Sequence, residues 1–178
     1  MHLYLENILV KKYPGIFQQY GGDMRETCMH WGIACGSGWF KLIDKLCNDL
    51  SKYPEVVASQ VKEKFGGLRF YIEGVDKDHS DAIYNHIDAA EGESLKTCED
   101  CGEPGKTRGG GWVRTLCNQC EQNKRIIEKI REGTCCYTIK DNKIEIFNDE
   151  GTIFKDTLEY YIKLMSKIDG LLEFKDSY

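Results

Sequence analysis

Apolar and polar positions along this chain follow two periods, and the changes of period mark out its elements. Leu3, Leu5, Ile8 and Leu9 predict a short helix before Pro14. Residues 14–38 keep neither period and read as a long irregular segment, a kind of loop that is uncommon in compact domains and often functional. Phe40, Ile43, Leu46, Cys47 and Leu50 recur at helical spacing, predicting a helix over 39–53 that Pro54 stops. Two extended runs, VVASQVKEKF and LRFYIEG, then flank Gly66-Gly67, a two-residue hairpin signal.

A helix is predicted over 78–97, with Asp78 or Ser80 as its cap and Ile83, Ile87 and Ala90 on one face. A cysteine-bearing segment follows at 98–120, then a basic helix over about 119–132 with Ile126, Ile127 and Ile130 as its stripe. Residues 135–155 read as a β-meander turning at Asp141-Asn142 and at 149–151. Asp156 and Glu159 form a capping-box signature for a last helix to about Ile168. The expected class is α+β: a small antiparallel sheet or hairpin with packed helices, a treble-clef-like zinc module, and a C-terminal β-meander plus helix. The expected organisation is an α+β core over 1–97, a zinc module with its basic helix over 98–132, and the meander and helix over 133–178 packed on the core.

Composition narrows the function. Among 178 residues, 24 basic side chains face 29 acidic ones, a net charge of −5 that disfavours a whole-surface grip on DNA. The charge is uneven. From Lys106 to Arg131 seven basic residues meet two acidic ones; from Asp141 to Asp176 five meet nine. No apolar run has the ~18 residues that a membrane span needs. The opening MHLYLENILVKKYPG lacks a basic n-region and a long apolar core, so it does not read as a signal peptide. Nine cysteines, four of them at metal-ligand spacing, point to a reducing cytoplasm rather than a disulfide scaffold.

Those four are Cys98-x2-Cys101 and, fifteen residues on, Cys117-x2-Cys120. Each pair places two thiolates on one tight turn, and two turns complete a tetrahedron. The expected ion is zinc. Four thiolates leave no open position, so the expected role is structural. Cys28, His30 and Cys35 form a weaker second candidate of unusual spacing. Cys47 reads as helix core and the Cys135-Cys136 pair as strand packing.

A Gly66-Gly67 turn would pair Phe65 with Leu68, Glu63 with Phe70, and Val61 with Ile72 on an apolar face. The other face would pair Lys64 with Arg69 and Lys62 with Tyr71. Three cations on one face call for an anion or a carboxylate nearby. Glu63 reads as an ion-pair partner for Arg25 or Arg114. Further glycine-aromatic runs surround Trp31, Trp39 and Trp112. Glycine admits close backbone approach, and Gly36–Gly38 before a helix could bind an anion. Tryptophan offers a stacking face for a base, and arginine a fork for phosphate. The predicted ligand site is therefore Trp31, Trp39, Lys62, Lys64, Arg69, Tyr71, Arg108, Trp112 and Arg114. In it, Trp112 and Arg114 stand beside the cationic side of the 60–72 ribbon, creating a recess for a phosphorylated guest. No nucleophile–base pair accompanies these groups, so the reading leans to binding rather than catalysis.

Together, CGSGWF, QVKEKFGGLRFY, CEDCGEPG and GGGWVRTLCNQC resemble a family of small zinc-module proteins encoded in bacteriophages and bacterial genomes. The resemblance spans roughly residues 20–122. Many relatives depart from Cys-x-x-Cys at the second pair, whereas all four cysteines are present here. The family brings no established activity to carry over. Its phage association implies host takeover or evasion of bacterial immunity. The leading expectation is thus a non-enzymatic protein in the cytoplasm of a bacterial host that captures a nucleotide-derived small molecule, sequestering an immune signal. The alternatives are a nucleic-acid-binding zinc module, an adaptor that binds a host protein, and, least favoured, a phosphodiester hydrolase using Glu63 or His30. An oligomer is compatible with all four.

Overall fold

A computed structural model describes residues 1–109 and 111–131, and the strands at 136–140, 143–148 and 151–154, with backbone alone beyond residue 125. It is mixed α+β, as the periodicity predicts, and divides into compact units Met1–Cys117 and Asn118–Tyr178. The hairpin of the cysteine module belongs with the first unit.

In that unit, helix α1 (Leu3–Lys12) begins with the His2 ring accepting the Tyr4 amide, and it buries Leu9. Helix α2 (Phe40–Leu50) buries Ile43, Leu46, Cys47 and Leu50, the positions its spacing predicts. Helix α3 (Ser80–Ser94) buries Ile83, Ile87 and Ala90, but the residue before it is His79, which makes no side-chain cap. The core joins these helix faces to Met29, Ile33, Trp39, Val61, Leu68 and Phe70.

The irregular 14–38 segment contains an element that periodicity does not show. Strand β1 (Ile33–Ala34) pairs in parallel with β2 (Val57–Lys64), Ile33 opposite Val61. Two residues are too few to display an alternation. A buried carboxylate secures the strand instead: the Ile33 amide donates to Glu6 Oε1 at 2.9 Å, and the chain's amino terminus donates to the Ile33 carbonyl at 2.8 Å.

Strand β2 runs antiparallel to β3 (Gly67–Glu73), completing the sheet order β1-β2-β3. The turn is Phe65-Gly66, not Gly66-Gly67. Both residues take the left-handed conformation, with φ of 55° and 80°, as a type I′ turn requires. The pairs are therefore Lys64–Gly67, Glu63–Leu68, Lys62–Arg69 and Val61–Phe70. Two hydrogen bonds hold this register: the Gly66 amide donates to Glu63 Oε1 at 2.6 Å, and Thr115 Oγ1 donates to the Gly66 carbonyl at 2.6 Å. The slide moves every pairing by two residues, so the two faces survive it. Val61, Leu68 and Phe70 are buried, while Lys62, Lys64, Arg69 and Tyr71 share the other side.

The first unit also holds strands β4 (Lys106–Arg108) and β5 (Arg114–Leu116). In the second unit are helix α4 (Asn118–Arg131) and strands β6 (Cys136–Lys140), β7 (Lys143–Asn148) and β8 (Gly151–Phe154), which pair antiparallel in chain order. The helix predicted over 156–168 lies outside the described residues, as do the side chains of Ile126, Ile127, Ile130, Cys135 and Cys136. Among the described residues, no helix is long and apolar enough to cross a membrane.

Candidate functional site

The cysteine module is a short antiparallel hairpin set between two Cys-x-x-Cys turns. Strand β4 (Lys106–Arg108) pairs with β5 (Arg114–Leu116), Arg108 opposite Arg114. Cys98 and Cys101 precede the hairpin, Cys117 follows it, and Cys120 lies in the first turn of α4. The first turn closes on itself: the Gly102 amide donates to the Cys98 carbonyl at 2.9 Å, and the Cys98 amide to the Glu103 carbonyl at 2.8 Å.

The sulfurs of Cys98, Cys101, Cys117 and Cys120 all lie within 4.8 Å of one another, and those of Cys101 and Cys117 are 3.7 Å apart. A disulfide would hold sulfurs at about 2.05 Å. A tetrahedral tetrathiolate with metal–sulfur bonds of about 2.3 Å separates them by about 3.8 Å. The cluster therefore fits a metal ion, with Cys98 and Cys120 buried and Cys101 and Cys117 half-buried. Among the described residues no second such group forms from Cys28, His30 and Cys35. Cys28 is exposed, and His30 Nδ1 lies 2.7 Å from the Gly22 carbonyl oxygen. Burial pushes the Cys35 thiol up to about 12.

The segment Cys35–Trp39 is where the first knuckle docks. The Gly38 amide donates to the Glu99 carbonyl at 2.7 Å and the Gly36 amide to Glu99 Oε1 at 2.9 Å. Trp39 is buried, and its indole nitrogen donates to the Thr97 carbonyl at 2.8 Å. A β-carbon on Gly38 would come within 2.5 Å of the Gly102 nitrogen and 2.7 Å of the Cys101 nitrogen. These glycines thus serve approach of backbone to backbone rather than of backbone to an anion. Trp39 is removed from the predicted ligand set, because its ring is enclosed by the core.

Arg114 is also committed. Its Nε donates to Glu99 Oε2 at 3.0 Å and its Nη2 to Asp100 Oδ1 at 2.5 Å. Burial works against the guanidinium charge, but the two carboxylates outweigh it and raise its pKa. Burial likewise holds Glu99 above the usual carboxylate range, with Arg114 pulling the other way. Glu99 is the hub that sequence reasoning missed. Its side chain and backbone together bind Gly36, Gly38, Arg114 and, through its own amide, the Thr115 carbonyl.

Trp112 does reach the ribbon, but from the other side. It is 74% exposed, and its indole nitrogen lies 3.3 Å from Glu63 Oε2. Glu63 belongs to the Val61 and Leu68 face, opposite Lys62 and Lys64. Its partners are Gly66 and Trp112, not Arg25, which binds Asp23. The recess of Trp112, Arg114 and the cationic face is therefore not the arrangement this chain builds.

What remains is the cationic face itself. Lys62 Nζ sits 5.6 Å from the centre of the Tyr71 ring, and Lys64 Nζ sits 5.5 Å from that of Phe65. Phe65 is 73% exposed at the turn, a position hidden from sequence reasoning by the misplaced turn. Neither lysine has a carboxylate partner among the described residues. Arg69, across from Lys62, is paired with Glu91 at 3.1 Å. Arg108 Nε donates to the Leu116 carbonyl at 3.2 Å. Trp31 stands out on the turn before β1, 69% exposed and edge-on to His30 at 4.9 Å. The chain matches no known family model, no curated protein and no solved structure.

Proposed function

We propose that this protein is a non-enzymatic binding protein that takes a nucleotide-derived, phosphorylated ligand on the cationic face of the β2–β3 ribbon. The observation that carries the reading is the pair of lysines that have no carboxylate partner among the described residues, each lying over an exposed aromatic ring. An ammonium supplies a point charge for phosphate, and a ring supplies a stacking face for a base. Lys62, Lys64, Tyr71 and Phe65 form the centre. Arg69 and Arg108 flank it with charge already partly satisfied, and Trp31 and Trp112 are outlying aromatics.

The four thiolates of Cys98, Cys101, Cys117 and Cys120 would hold zinc, for which a soft all-sulfur tetrahedron is suited. When bound, the ion supplies a structural crosslink. The order of knuckle, hairpin, knuckle and helix supports a treble-clef-like reading of the module. Thiolate ligation suits the reducing cytoplasm of a bacterial host. In the phage setting implied by the sequence resemblance, such binding would sequester a nucleotide immune signal.

The test is calorimetric titration of the metal-loaded protein with a panel of linear and cyclic nucleotides, with recovery of the ligand after denaturation. The reading expects saturable binding, loss of it in a Lys62→Glu/Lys64→Glu variant, and an intact ligand. Absence of binding across the panel, or unchanged binding by the variant, contradicts it. A second reading, binding of single-stranded nucleic acid, is favoured by the openness of the rings at 31, 65 and 112. It predicts affinity that falls steeply between low and moderate salt, because each neutralised phosphate releases counterions.

A further inference from the structure

The ribbon face sets two cations between two rings. Lys62 and Lys64 stand two residues apart on one side of one strand, so their backbone positions are separated by about 6.7 Å. Each carries its ammonium over its own ring, at 5.6 Å for Tyr71 and 5.5 Å for Phe65. Tyr71 lies on β3 opposite Gln60 and Phe65 in the turn beyond Lys64, so the order along the ribbon is ring, cation, cation, ring. A nucleotide offers the complement of one cation with its ring, a phosphate beside a base.

From this arrangement we infer that the ligand is a phosphodiester-linked dinucleotide unit, linear or cyclic, rather than a mononucleotide. The inference rests on the reading of this face as a phosphate-binding surface, and it names the ligand class. A mononucleotide fills one such pair and leaves the other empty. A nucleoside diphosphate offers phosphate to both lysines but carries one base, and so leaves one ring without a partner. Two linked nucleotides supply a base for each ring and phosphate for the lysines between them. Local charge agrees. Glu63, between the two lysines in sequence, turns to the opposite face to hold Gly66 and Trp112. Glu91 is engaged by Arg69 and by the Phe70 amide. Among the described residues neither ammonium group has a carboxylate partner, and the rings beside them are exposed.

The experiment is calorimetric titration of the full-length, metal-loaded chain with three probes for each base: the nucleoside monophosphate, the nucleoside diphosphate, and the 5′-phosphorylated homodinucleotide. Cyclic dinucleotides and a ten-residue single strand are added. For at least one base or cyclic form, the dinucleotide should bind about tenfold or more tightly than the monophosphate, the scale of one added charge-assisted contact. Lys62→Gln and Lys64→Gln should each remove that advantage and bring the dinucleotide to monophosphate affinity. Because both side chains lie on the solvent side, the urea midpoint should stay unchanged, which separates loss of contact from loss of fold. Equal affinity for mono- and dinucleotide overturns the inference and leaves the broader reading standing. Affinity that climbs with every added nucleotide overturns it in favour of a polynucleotide. Absence of binding by every probe overturns both.

Discussion

Replacing Gly38 by alanine should break the docking of the knuckle onto the core. The cause is space, not backbone conformation. The added methyl would lie 2.5 Å from the Gly102 nitrogen, 2.7 Å from the Cys101 nitrogen, and closer still to the Cys98 carbonyl oxygen. All three are backbone atoms of the metal-ligand turn, so no side chain can rotate away. Overpacking of this kind costs about 1–3 kcal/mol. Moving the turn also lengthens the hydrogen bonds from Gly38 to Glu99 and from Trp39 to Thr97, each worth about 1 kcal/mol net. The expected loss is about 3–5 kcal/mol by urea denaturation of the metal-loaded protein. Gly109→Ala is the control. A methyl there meets nothing within 4 Å, and the change should stay within about 0.5 kcal/mol. Equal stability of the two variants would refute the docking argument.

Three more outcomes follow from the same contacts. In the native, metal-loaded protein, iodoacetamide should label exposed Cys28 readily and leave Cys35 and Cys47 unmodified, with Cys98, Cys101, Cys117 and Cys120 labelled only after chelation; mass spectrometry of peptides reads this. Arg114→Met should cost about 3–5 kcal/mol in urea denaturation, because it leaves the buried Glu99 carboxylate without its cation. Gly92→Ala, in the last turns of α3 with open space around it, should raise stability by about 0.5–1 kcal/mol, seen as a higher thermal midpoint.

Local chemistry was legible in the sequence and distant contacts were not. The four-cysteine cluster could be read because each pair of ligands sits on one turn and the spacing alone brings its thiolates together. The buried faces of α2 and α3 could be read because their period is local. The faces of the ribbon were legible and its turn was not, for one reason: sliding the turn by one residue leaves every side chain on its side. That slide hid Phe65, which became a turn residue rather than a core one.

The segment CGSGW misled because glycines beside an aromatic signal close approach without saying of what. Here the approaching group is backbone from more than sixty residues away. Arg114 looked available for phosphate, although the Glu99-Asp100 pair between the first two cysteines was a readable sign of a nearby cation. Strand β1 was illegible because its two residues are held by Glu6 and β2, not by any pattern of their own.

Four thiolates holding one metal ion would fix the knuckle on which the hairpin and the ribbon tip rest. Amide hydrogen exchange, measured before and after chelation on protein of known metal content, reads that role at single residues. One zinc ion per chain is expected. Chelation should sharply lower protection at the Gly36 and Gly38 amides, which cross between core and knuckle, and at the Glu99 amide, which ties the knuckle to the hairpin, while Val61 and Phe70 in the sheet keep theirs. A chain that carries no metal, or amides at 36, 38 and 99 that exchange at the same rate with and without it, would rule out a metal-fixed knuckle.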